Sequence, residues 1–236
     1  MGLSDLTIIT HTHTDCSDLW SPYFDSYKNF LSSINHIVLI NEKTNKISLE
    51  QIVYDDKLLF SDRLLHALSL IKTEFVLISL EDMFLYDRVN ENRLSDIINI
   101  MKANDDIFYT RLIKSGIKSL VPYTDTLFYI RNEDFSFSIT PTIWNVDKLI
   151  STLRLLIGLT IWQLEINGDS LLKDRDFIGL YHYNNEPKRG GHYDSDIYPH
   201  ICSAICKGKW NIKEYGTEIR NIIEKYNISI NDRGVF

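Results

Sequence analysis

Thr73-Glu74-Phe75-Val76-Leu77-Ile78-Ser79-Leu80-Glu81-Asp82 sets an apolar run of strand length directly against two adjacent carboxylates. A run of this kind, with little alternation, reads as a strand buried on both faces, as in the middle of a parallel sheet. The same pattern repeats on its N-terminal side. Leu6-Thr7-Ile8-Ile9-Thr10 leads into the polar loop His11 to Ser17, Ile37-Val38-Leu39-Ile40 ends at Asn41-Glu42, and Gln51-Ile52-Val53-Tyr54 ends at Asp55-Asp56. Segments of helical period separate these runs. Between Trp20 and Leu31, behind a cap at Ser17 or Asp18, the residues Tyr23, Phe24, Tyr27, Phe30 and Leu31 share one face. Leu64, Leu65, Leu68 and Ile71 follow a cap at Ser61-Asp62. Alternation of this kind predicts an α/β layer structure, a mostly parallel sheet flanked by helices.

On the C-terminal side the sequence predicts a helix from Asn92 to Met101 and strands over Ile107 to Ile113, Thr126 to Ile130 and Phe135 to Ile139. Asn145 or Asp147 opens a helix carrying Leu149, Ile150, Leu153 and Leu156; a second helix covers 160–172, and a short strand runs from Ile178 to Tyr183. Residues 184–194 are polar and glycine-bearing and read as a mobile loop, and Trp210 to Ile228 as a C-terminal helical extension. With no internal repeat, low-complexity tract or Pro/Ser linker, residues 1–236 read as a single domain.

Composition narrows the function classes. Of 236 residues, 44% are hydrophobic and 24% charged, a balance that excludes global disorder. A net charge of −7 disfavours attraction to a polyanion, so nucleic acid is not an expected partner. Three cysteines without a repeated framework predict free thiols in a reducing compartment. The N-terminus lacks the pattern of a signal peptide and no apolar run is long enough to span a bilayer, so the expected location is the cytoplasm.

In open α/β sheets ligands bind beyond the carboxyl ends of the strands, where this chain concentrates its polar groups. Three constellations carry chemistry. His11-Thr12-His13-Thr14-Asp15-Cys16-Ser17-Asp18 places two histidines at alternating positions, a metal-ligand spacing. The string resembles the opening motif of the metal-dependent PHP phosphoesterases, although the further ligands such a site needs are not visible, and a polar strand-end loop accounts for it as well. Cys202 and Cys206, read as an i, i+4 helical pair, could bind metal with His200 or simply bury two thiols on a helix face. Glu81-Asp82 is well placed to hold a hard divalent cation, the alternatives being a helix cap or a salt bridge.

Taken together, LTIITHTHTDCSDLW, the acidic strand ends INE and VYDD, Arg63 and the segment EFVLISLEDMFLYD resemble the nucleotide-sugar-dependent glycosyltransferases of the GT-A type. SITPTIWNVDKLI and TIWQLE look like the acceptor-side segments, and YHYNNEPKRGGHYDSDIYPHICSAICKGKWNIKEY like the donor-covering tail of small transferases that build surface or viral glycans. The resemblance implies a GT-A-like, Rossmann-related fold in which residues 1–100 form the nucleotide-binding half and 101–236 the acceptor side and tail. It implies that Thr10, Asp56 and Arg63 contact base or ribose, and that Asp82, with Glu81 beside it, holds Mn²⁺ or Mg²⁺ against the diphosphate. The acidic motif is Glu-Asp rather than a spaced Asp-x-Asp. His182 is a candidate further metal ligand. Lys188, Arg189 and His192, with Gly190-Gly191, would close over the phosphates, the alternative being a solvated turn.

Glu165, three residues after Trp162, is the expected base for the acceptor hydroxyl, with Asp134 and Asp147 as weaker candidates and a plain helix-surface charge as the alternative. The implied partners are a nucleoside-diphosphate sugar and a glycan acceptor, with room for peripheral membrane association. Two other functions stay open: a PHP-like phosphoesterase built on His11 and His13, and a carbohydrate-binding module without chemistry.

Overall fold

The computed structural model describes residues 2–31, 33–131, 136–139, 141–173 and 177–236. An eight-stranded mixed sheet of order β3-β2-β1-β4-β7-β5-β8-β6 is its frame. The strands are β1 (Leu6–His11), β2 (Asn35–Ile40), β3 (Glu50–Val53), β4 (Phe75–Leu80), β5 (Ile107–Arg111), β6 (Leu127–Ile130), β7 (Thr142–Asn145) and β8 (Ile178–His182). Pairings β3–β2, β2–β1, β1–β4 and β5–β8 are parallel, whereas β7 is antiparallel to both β4 and β5 and β6 is antiparallel to β8. Only β6 and β7 therefore run against the rest, and the carboxyl ends of β1 to β5 and β8 share one edge. The fold is α/β and Rossmann-like, as the apolar runs predict.

Helices α1 (Trp20–Phe30), α2 (Phe60–Leu68), α3 (Glu91–Ala103), α4 (Val146–Leu153) and α5 (Ile161–Lys173) cover the sheet. The two-residue period of a strand divides the core between the two faces. Leu6, Ile8, Phe75 and Leu77 pack with Tyr23 and Tyr27 of α1 and Leu94, Ile97 and Ile98 of α3. The intervening Ile9, Val76 and Ile78 pack with Leu64 and Leu68 of α2 and Leu149 and Leu153 of α4. Asn90 and Asn145 cap α3 and α4 by accepting backbone N–H bonds from Arg93 and Lys148.

Four expectations are corrected. Residues 136–139 form no strand; the strand of that region is β7, seven residues later than the predicted start, where Trp144 is enclosed by Phe108, Tyr109 and Phe137. The loop after β8 folds into a hairpin of β9 (Lys188–Arg189) and β10 (His192–Tyr193), with Gly190 at φ +59° in its turn. Cys202 and Cys206 do not share a helix: Cys202 is buried in a loop and Cys206 belongs to a second hairpin, β11 (Ile205–Cys206) with β12 (Lys209–Trp210). The predicted terminal helix is accordingly shorter, α6 (Gly216–Lys225), followed by one turn, α7 (Ile230–Arg233). Among the described residues no helix is long and apolar enough to cross a membrane.

Candidate functional site at the carboxyl edge of the sheet

Two cavities, of about 460 and 600 Å³, open at the carboxyl edge and share Leu80, Asp82, Ile161 and Ile205 in their walls. The shared residues are the end of β4, the start of α5 and the β11–β12 hairpin, so the apolar run that defines the fold also delivers its carboxylates to the junction.

The smaller cavity has an aromatic and cationic floor. The His11 ring stacks on Tyr54 at 5.2 Å and meets Phe60 edge-on at 5.0 Å, and the Arg63 guanidinium lies 4.2 Å from the Tyr54 ring centroid. Tyr54 is fixed by donating to the Thr12 carbonyl at 2.9 Å, and Arg63 by donating to the carbonyls of Leu58 and Asp56 at 2.7 and 2.9 Å. Burial and the positive charge of Arg63 hold His11 down to about 3, so its ring is neutral at physiological pH. Arg233, from α7 near the chain's end, also lines the cavity and pairs with Asp18 through two bonds of 2.6 Å.

Glu81 and Asp82 face this floor. Burial raises the proton affinity of Glu81, and burial together with the charge of Glu81 pushes Asp82 up to about 7. Asp82 is anchored by the Ile205 N–H at 3.1 Å and the Ser203 hydroxyl at 3.5 Å, both on its Oδ2. Two adjacent half-buried carboxyls with raised proton affinity are the electrostatic condition that a divalent cation relieves, and an all-oxygen pair suits a hard one.

The larger cavity is mostly apolar and lies on the α5 side. Glu165 lines it and accepts from the Ile139 N–H at 2.8 Å and the Ser138 hydroxyl at 3.1 Å. Trp162, one turn earlier, is 73% exposed at the cavity's wall rather than core. Ser115 and His192 are bonded to each other in its wall, Oγ to Nδ1 at 2.8 Å, and burial lowers the His192 proton affinity, keeping that ring neutral as well. Arg111, fully buried at the end of β5, donates to the carbonyls of Ser115 and Ser136 and so ties two cavity walls together.

The sequence-predicted residues thus divide. Arg63, Glu81 and Asp82 meet at the smaller cavity, and Glu165 and His192 at the larger. Asp56 stands at the rim, 3.4 Å from His13 Nε2 and 3.8 Å from Arg63. Thr10 is completely buried, its hydroxyl held between Tyr23 and His36 at 2.7 Å each, on the face away from His11; its side chain does not reach the cavity. Arg189 is drawn to Asp194 at 3.1 Å and Glu218 at 2.9 Å, while Lys188 is exposed; neither lines either of the two cavities. Asp147 follows β7, whose end pairs with the beginning of β4, so the reversed strand carries it to the opposite edge. Asp134 lies outside the described residues.

His11 and His13 diverge in use, one stacked in the aromatic floor and the other bonded to Asp15 and Asp56. His182, at the end of β8, lies three strands from β4 and lines neither cavity. Sequence reasoning missed Tyr54, Phe60, Arg111 and Arg233 as site residues. Tyr54 had a readable cue, an aromatic at a strand's carboxyl end; Arg233, hundreds of positions from its partner Asp18 in chain order, had none.

No family model matches the chain, and no curated protein matches it in sequence. Solved structures do match. A cytidylyltransferase from Leptospira borgpetersenii serovar Hardjo-bovis superposes with a TM-score of 0.52 at 12% identity, covering 99% of both chains. S. aureus TarS 1–349 in complex with UDP gives 0.51 at 13% identity over 97% of this chain and 68% of that one. A longer TarS structure gives 0.51 at 13% over 97% of this chain but only 41% of its own, and the 1–349 structure without UDP gives 0.50 with 66% of its length covered. At these identities the likeness establishes a fold shared by GT-A-like and nucleotidyltransferase structures. This chain spans less than two thirds of the first TarS chains it matches.

Proposed function

We propose that this chain transfers a sugar from a nucleoside-diphosphate sugar to a glycan hydroxyl, assisted by Mn²⁺ or Mg²⁺ held at Glu81 and Asp82. The observation that carries the reading is the meeting of two unlike cavities at Asp82. The smaller offers a flat aromatic surface for a base, Arg63 and Arg233 for anionic groups, and two carboxyls for a cation. The larger offers apolar walls, an exposed tryptophan suited to a sugar face, and a fixed carboxylate.

A cation bound there would offset the charge that grows on the departing diphosphate. His11 and Phe60 would hold the base, with Tyr54 packed behind the His11 ring, and Arg63 and Arg233 would draw the donor's anionic portion into register with Asp82. Glu165 would take the proton of the acceptor hydroxyl; its bonds from Ser138 and Ile139 fix one oxygen of the carboxylate in place. In this reading residues 1–100 form the nucleotide-binding half and 101–236 the acceptor side and the donor-covering tail, from which Arg233 returns to the donor. A likeness to TarS bound to UDP supports it.

Nucleotidyl transfer is the second reading, favoured by the full-length match to the cytidylyltransferase. Against it, the loop His11 to Ser17 contains no Gly, Lys or Arg, so it lacks the usual cradle for a triphosphate. Thermal shift separates the two. Nucleoside diphosphates with Mn²⁺ should raise the melting temperature by mass action, and Asp82→Asn should abolish most of that rise. An unchanged rise in the variant removes Asp82 from the site, and stabilisation by triphosphates alone transfers the assignment to nucleotidyl chemistry.

A further inference from the structure

His182, Glu186 and Asp196 bring three metal-ligating atoms within 4.8 Å of one another, well away from Asp82. His182 ends β8, which is separated from β4 by β7 and β5. Three strand spacings put about 14 Å between the two positions, too far for one ion to be held by both. His182 is also absent from the walls of both cavities.

The local geometry is that of a prepared ligand set. His182 is 2% exposed, and its Nε2 lies 2.6 Å from Asp196 Oδ1 and 3.1 Å from Glu186 Oε1. The remaining oxygen of each carboxylate is occupied from outside the cluster. The Asn184 side-chain amide donates to Asp196 Oδ2 at 2.8 Å, and the Asn184 backbone N–H donates to Glu186 Oε2 at 2.6 Å. Asn184 thus turns one oxygen of each carboxylate toward the same imidazole nitrogen, the outer-shell arrangement that orients metal ligands.

We propose that His182, Glu186 and Asp196 bind a divalent transition ion of the Zn²⁺ or Mn²⁺ kind, at a second site independent of Glu81-Asp82. One nitrogen and two carboxylate oxygens favour such an ion over Mg²⁺ or Ca²⁺, and half-exposed Asp196 leaves a path for entry and a position for water. The site also has a mechanical meaning. Glu186 precedes β9 and Asp196 follows β10, so one ion bonded to both would clasp the stem of the hairpin to the end of β8. That hairpin presents Gly191 and His192 to the larger cavity. The ion would fix the cavity's covering element without touching either substrate.

The test uses the full chain without nucleotide, stripped with chelator and titrated with Zn²⁺, with retained metal measured by elemental analysis after dialysis. One equivalent should persist in the wild type and in Asp82→Asn, and should fall at least tenfold in affinity in Glu186→Gln and Asp196→Asn. Both substitutions keep side-chain size, and circular dichroism verifies the fold. Co²⁺ in place of Zn²⁺ should give a visible absorption band that His182→Asn removes, and Zn²⁺ should slow proteolysis within 184–196. Absence of a retained equivalent in the wild type, its persistence in Asp196→Asn with Glu186→Gln, or its loss in Asp82→Asn overturns the proposal. Because nucleotide is absent throughout, these outcomes leave the transferase reading to its own test.

Discussion

The two cavities at the carboxyl edge are built in different ways. The smaller draws most of its wall from the ends of β1 and β4 and from the segments that follow β1, β3 and β4, with His11, Glu81 and Asp82 within two residues of their strands' ends, and is closed by Thr160, Ile161, Ile205 and Arg233. The larger adds to the end of β4 and the residues after it pieces scattered over the second half: 115–116, 138–139, the start of α5, the β9–β10 hairpin and the segment entering β11. Consecutive parallel strands deliver their ends to one edge automatically, so local sequence suffices there. Once β7 and β6 reverse direction, residues near in sequence part to opposite edges and distant ones converge. Asp147 and Glu165 illustrate this: both are acidic residues near tryptophans, but only Glu165 reaches a cavity.

The sharpest way to break the contrast is Glu165→Gln. If the larger cavity holds the acceptor and Glu165 its base, transfer should fall about 10²–10⁴-fold while thermal stabilisation by donor nucleotide stays within experimental error. The amide oxygen still accepts from Ser138 and Ile139, so the fold should survive. Equal loss of donor binding and transfer would make Glu165 a positioning residue for segment 136–139.

Tyr54→Ala addresses the smaller cavity alone. Removing the ring that both His11 and Arg63 use should weaken nucleotide binding about tenfold, whereas Tyr54→Phe, which loses only the bond to the Thr12 carbonyl, should cost less. Isothermal titration with a nucleoside diphosphate and Mn²⁺ measures both. Equal affinities for wild type and Tyr54→Ala would place the base elsewhere.

The smallest expected effect is in the pH dependence of stability. The folded-state pKa of Asp82, about 7, lies above its ordinary value of 3.8, so the folded state binds the proton more tightly. This stabilisation is full below pH 3.8 and is lost as pH rises toward 7. The buried histidines oppose it: with His11 held down to about 3 and His36 and His200 to about 4, folding gains as pH rises from these values to 6.5. The difference between wild type and Asp82→Asn isolates the carboxyl. Without metal, the variant's melting temperature should gain on the wild type by a few degrees between pH 5 and pH 7.5, as read by differential scanning fluorimetry, and saturating Mn²⁺ should reverse the trend in the wild type. A constant difference across that range would mean that Asp82 is ionised in the free protein.

What the chain determined by itself was the layer architecture and the site's first half. Apolar runs of strand length, interrupted by helical period, fix an α/β sheet because only a strand covered on both faces tolerates Phe75-Val76-Leu77-Ile78 without alternation, and the acidic groups at its end follow the strand direction. Tertiary structure alone decided the second half: that β7 reverses between β4 and β5, that Arg233 returns from the far end of the chain to Asp18, that Thr10 is sealed beneath Tyr23 and His36, and that His182 stands with Glu186 and Asp196 rather than with Asp82. These depend on strand order and direction, which are set by the mutual packing of surfaces distant in sequence, and periodicity records which face of an element is buried but not which partner buries it.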